Sequence, residues 1–124
     1  MDLPRFRQKC GLLTTALFML SARVDLDVDA IADWRGVHRA LYMLWLDSGE
    51  YESYGKARLL DIEGAVNQRG LEIARLLSQR LPTHLWVWHD PNDGEPTHCP
   101  RCDRPLTLDA NWGIGDCDAC LIHL

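Results

Sequence analysis

Cysteine places the tightest constraint on this chain. Cys99-Pro100-Arg101-Cys102 is answered by Cys117-Asp118-Ala119-Cys120, with fourteen residues between the two pairs. A Cys-x-x-Cys turn presents two thiolates from one tight loop, because two intervening residues let the chain reverse over an ion. Two such turns complete a tetrahedral set, so the pattern reads as one zinc site made by Cys99, Cys102, Cys117 and Cys120. Four thiolates leave no open position for water, which makes the expected role structural. Rubredoxin-type iron accepts the same spacing, and His98 is a neighbouring donor. A thioredoxin-type pair would open a helix after a strand, and no such pattern surrounds these cysteines. His84, His89 and His123 have no spacing that forms a second site and read as surface or strand-end histidines.

The segment between the knuckles predicts a β-hairpin. Pro105 to Leu108 is the outgoing strand, Asp109-Ala110-Asn111 the turn and Trp112 to Gly115 the returning strand. Leu121 to Leu124 adds a short third strand. In this order of knuckle, hairpin and knuckle, with Pro100 inside the first Cys-x-x-Cys, residues 99–124 resemble a zinc ribbon. The resemblance covers the last fifth of the chain. It implies zinc ligation by the four cysteines, and it names no single function, because ribbons serve transcription factors, polymerase subunits, ribosomal proteins and adaptors alike. Many ribbons carry glycine straight after a knuckle; here Asp103 and Leu121 stand there. So small a module buries too little surface to fold unaided. Metal binding is then its folding free energy, and the expectation is that losing the ion disorders residues 97–124 and leaves the helices intact.

Upstream, apolar residues recur at helical spacing. Pro4 to Arg23 predicts a first helix with Phe6, Cys10, Leu13, Leu17 and Leu20 on one face, Cys10 being a buried structural thiol. A second runs from Asp29 to Asp47 with Ile31, Trp34, His38, Leu41 and Trp45 together, and Ser48-Gly49 stops it. His38 reads as a core-edge histidine. A third helical region covers Gly55 to Leu81, read as one long or slightly kinked helix, with a break into two helices at Asn67 to Gly70 as the alternative. Leu85 to Trp88 is bulky and β-prone, and Asp90 to Pro96 is a turn-rich linker. The expected fold is mainly α: a three- to four-helix N-terminal bundle over residues 1–82, a short strand and linker over 83–96, and a small β zinc ribbon over 97–124. Hydrophobic residues make up 47% of the chain, enough for a core.

Charge separates the two ends. Residues 1–82 hold 11 basic and 11 acidic residues, whereas 83–124 hold 2 arginines and 7 acids, which accounts for the net charge of -5. Four thiolates around a divalent ion deepen that negative field, so the metal module repels phosphate. Arg58, Arg69 and Arg80 are spaced by eleven, which on one helix returns to within about 20 degrees, so the three line one edge and offer a contact to phosphate or to an acidic partner. The apolar run from Gly11 to Leu20 is too short to span a bilayer, and the expected location is cytoplasmic. The chain has no phosphate loop, nucleophile elbow or metalloprotease motif. Upstream His-x-Glu is missing, and His98 and Asp116, not proline, precede the knuckles, so the zinc-deaminase signature fails too. The expectation is a non-enzymatic protein that serves as a small subunit or adaptor in a larger, nucleoprotein-type assembly. The alternative is a regulator that touches DNA or RNA through its helices.

Overall fold

A computed structural model of the protein describes residues 28–108 and 113–124. The helix expected over Pro4 to Arg23, with Cys10, and the turn with Trp112 lie outside the described residues.

Helix α1 spans Val28–Asp47, α2 Glu52–Leu60 and α3 Ala65–Ser78. Ser48 and Gly49 end α1 as their chemistry demands: Gly49 takes the left-handed φ of 64°, and the Ser48 hydroxyl accepts the Tyr51 amide at 3.0 Å. The chain then doubles back, and α2 packs on α1 with almost no gap. A methyl group on Gly55 would stand 2.6 Å from the Leu41 carbonyl oxygen and 2.9 Å from the Trp45 amide nitrogen. Only glycine allows that approach.

The third helical region is two helices, α2 and α3, not one. The break falls at Asp61 to Gly64 rather than at Asn67 to Gly70. Helix α2 ends with carbonyls that lack intrahelical partners, and α3 supplies the donors. The buried Asn67 side-chain amide donates to the Leu59 carbonyl at 2.9 Å and to the Asp61 carbonyl at 3.0 Å, and Gln68 donates to the Ile62 carbonyl at 2.9 Å. Asp61 accepts the Glu63 amide and turns the chain. Asn67 and Gln68, which the sequence marks as a possible break, lie inside α3 and cap the preceding helix.

Three two-residue strands follow: β1 Leu85–Trp86, β2 Asp116–Cys117 and β3 Ile122–His123, in the order β1-β3-β2. Strand β3 is antiparallel to β2 and parallel to β1. Among the described residues, the returning strand is Asp116–Cys117 and does not include Gly113 to Gly115 of the expected leg. Gly113 bends the chain with φ 69°, and the Ile114 and Gly115 amides donate to the Leu124 carbonyl, so pairing with the outgoing leg is at Thr107–Asp116.

The described residues do not form a free-standing helical bundle with a ribbon appended. Helix α3 lies between α1 and the sheet. Its Ile73 and Leu77 pack with Ile31 of α1, while its Leu71 and Ala74 join Leu85, Val87, Cys99, Leu106, Cys117, Ile122 and Leu124 in one core. Gly70 lets Leu85 and Trp34 close on α3, and the Trp34 indole donates to the Val66 carbonyl at 2.8 Å. Trp45 meets the buried Trp88 edge-on, with ring centroids 4.8 Å apart. Lys56 of α2 pins the linker, lying 2.9 Å from Asp90 and 2.8 Å from Asp93 of the 3-10 turn Pro91–Asp93. Its ammonium is held above the usual lysine range by those two carboxylates. The Asn92 amide, with Lys56, holds Asp90 below the usual carboxylate range.

Candidate metal centre

The four cysteine sulfurs converge. All four lie within 4.8 Å of one another, and the sulfurs of Cys102 and Cys117 are 3.7 Å apart. A tetrahedral ion with metal–sulfur distances near ~2.3 Å holds its ligands about 3.8 Å apart, so the donor set fits such an ion as it stands. Cys99 and Cys117, the first of each pair, are buried in the core, and Cys102 and Cys120 are half-buried at its edge.

Backbone hydrogen bonds set this geometry. In the first knuckle the Cys99 amide donates to the Arg104 carbonyl at 2.8 Å, the Asp103 amide donates to the Cys99 carbonyl at 2.9 Å, and the Arg101 amide reaches the Cys99 sulfur at 3.4 Å. The second knuckle leaves β2 at Cys117 and returns as β3. The Leu121 carbonyl at its end accepts the Leu85 amide of β1 at 2.7 Å. The strand that precedes the linker is thus bonded directly to the second knuckle.

Electrostatics point the same way. The Arg104 amide brings the Cys102 thiol down to about 7. Burial, and then the crowding of the other three sulfurs, pushes Cys120 up to about 12, and burial raises Cys117. Four sulfurs this close resist being anionic together unless a cation sits among them.

The other residues singled out in the sequence are dispersed. His98 stands outside the donor group, exposed, with Nδ1 2.8 Å from the Thr97 hydroxyl. Arg58 ends α2 with its guanidinium 5.8 Å from the Tyr54 ring, Arg69 is on α3, and Arg80 lies past the end of α3. All three are exposed, but the eleven-residue row needed one continuous helix, and the break at Asp61 to Gly64 removes it. His38 sits at the core edge as expected, its ring 5.6 Å from Trp34 and 6.4 Å from Trp86.

Sequence spacing missed a second convergence. His84, Asp116 and Asp118 each offer a donor atom, and these atoms lie within 4.8 Å of one another. Nothing local announces it, because His84 and Asp118 are 34 residues apart and meet only through the β1-β3-β2 sheet.

Compared with family models, with curated proteins and with solved structures, the chain matches none of them. Among the described residues, no helix is long and apolar enough to cross a membrane.

Proposed function

We propose that Cys99, Cys102, Cys117 and Cys120 hold one structural Zn2+ in a zinc ribbon, and that the protein works as a non-enzymatic, cytoplasmic subunit or adaptor that docks on another protein of a larger assembly. The observation that carries the docking part is the surface of the α1–α2 hairpin. Val37, Met43, Leu46, Tyr51 and Tyr54 are all large, apolar or aromatic, and between 37% and 58% exposed. Aromatic anchors of this kind dominate binding energy at protein interfaces. The zinc reading rests on four soft donors at tetrahedral separation, a closed shell that favours a structural over a catalytic ion.

The test purifies the full chain from its source with and without the pair Val37→Asp and Tyr54→Ser. The reading expects one partner at fixed stoichiometry with the parent chain and none with the double variant. A salt titration with duplex and single-stranded DNA and RNA accompanies it. Strong salt-dependent binding by the isolated protein would support the nucleic-acid alternative, in which Arg58, Arg69 and Arg80 make the contacts. A chain that stays without a partner in both forms contradicts the adaptor reading.

A further inference from the structure

The outward face of the small sheet carries a set of groups that the zinc centre does not use. Alternation along the strands turns Cys117 and Ile122 to the core and Asp116 and His123 to the opposite face, and His84 and Asp118, which border β1 and β2, meet beside them. His84 Nε2 lies 2.8 Å from Asp118 Oδ1, and Asp116 is hydrogen-bonded to the Nδ1 of the buried His123. Its cross-strand neighbour His123 thereby fixes Asp116 in place. Among the described residues, each carboxylate pairs with a histidine and neither has a lysine or arginine within ion-pair distance. Both flank Cys117, in a region whose formal charge is already negative before any thiolate is counted.

We propose that His84, Asp116 and Asp118 form a second divalent-cation site on this face, separate from the four cysteines. One imidazole nitrogen and two carboxylate oxygens within 4.8 Å of one another are a mixed donor set suited to a borderline or hard first-row ion such as Mn2+ or Zn2+. Two carboxylates beside a tetrathiolate centre attract a cation, and among the described residues no lysine or arginine supplies one. His123 plays the part that outer residues play in metal sites: it orients a ligand by binding its other side. The His84 and Asp116 side chains are mostly buried, 16% and 20% exposed, whereas Asp118 is 78% exposed. The ion is therefore reached from solvent on the Asp118 side. Three protein donors leave further positions there, open to water or to a carboxylate or imidazole of a docked protein. On binding, the ion takes the place of the direct His84–Asp118 contact.

Mn2+ is the discriminating probe, because it binds oxygen and nitrogen donors well and thiolates poorly. The full-length protein, loaded with one zinc, is titrated with Mn2+ alone, and free Mn2+ is read by electron paramagnetic resonance. One Mn2+ per chain is expected, with zinc retained. His84→Gln and Asp118→Asn should each weaken Mn2+ binding by more than about tenfold, since removing even an outer-sphere partner costs about that much. Because Asp118 is so exposed, its substitution leaves the fold and the first zinc in place, which keeps the test sound if His84→Gln misfolds. A chain that takes up neither Mn2+ nor a second Zn2+ at about 1 mM metal, or that binds Mn2+ equally in the Asp118→Asn variant, overturns the proposal.

Discussion

Asp103 and Leu121 occupy the same place in the two knuckles. Each follows the second cysteine of its pair, and each is left-handed, with φ 61° and 59°. They are the only non-glycine residues of positive φ among the described residues. A knuckle that folds back over an ion needs this conformation after its second cysteine, which is the position where glycine is common in ribbons. The two side chains meet the demand differently. Aspartate tolerates the left-handed region, whereas leucine does not and is held there by packing against the core.

The pair gives a first prediction. Asp103→Gly relieves strain at an exposed position and should stabilise the zinc-loaded protein by about 0.5 kcal/mol. Leu121→Gly relieves the same strain but removes a side chain that packs on the core, and should destabilise by about 1–2 kcal/mol. Guanidinium unfolding of both variants checks the opposite signs.

Two glycines in the hairpin of helices behave in the same divided way. Nothing lies within 4 Å of a methyl group on Gly36, in the middle of α1, so Gly36→Ala should stabilise by about 0.5–1 kcal/mol. At Gly55 the new methyl meets backbone atoms that cannot swing aside, and Gly55→Ala should cost about 1–3 kcal/mol. Thermal unfolding of the two variants checks this contrast.

His38 makes stability depend on pH. Burial between Trp34 and Trp86 lowers its pKa below 6.5. The folded protein therefore resists the proton that the unfolded chain accepts, and stability present above pH 6.5 is lost as pH falls below it. His38→Phe should lose that part of the pH dependence. The measurement is the difference in unfolding free energy between parent and variant from pH 7.5 to 5.5. A difference that does not vary with pH contradicts the assignment.

What the sequence made legible was local. The four cysteines, the stop at Ser48-Gly49 and the strand after the second knuckle each depend on residues adjacent in the chain, and the structure places them where spacing and turn chemistry put them. The break between α2 and α3 was hidden, because it is held by Asn67 reaching back eight residues to the Leu59 carbonyl, a contact with no periodic signature. The arginine row failed with it. Strand β1 was legible as a strand but not as the partner of Ile122–His123. The cluster of His84, Asp116 and Asp118 is a product of that same long-range pairing.

The core that α3 shares with the sheet changes what the metal is expected to support. Leu71 and Ala74 of α3 pack in the same cluster as Cys99 and Cys117, so an ion held by the four cysteines would organise one wall of the surface that α3 is buried against. The sequence alone suggested that the helices stand without it. The packing predicts that they do not stand unchanged.

Amide hydrogen exchange on the purified full chain tests this most directly, comparing the zinc-loaded protein with the Cys102→Ser variant and with protein stripped by a chelator. The zinc-loaded chain should hold one ion, and its loss should remove protection from residues 97–108 and 113–124 and also from Ala65–Ser78. Protection of Ala65–Ser78 that is the same with and without the ion, or a purified chain that holds no metal, would contradict the account.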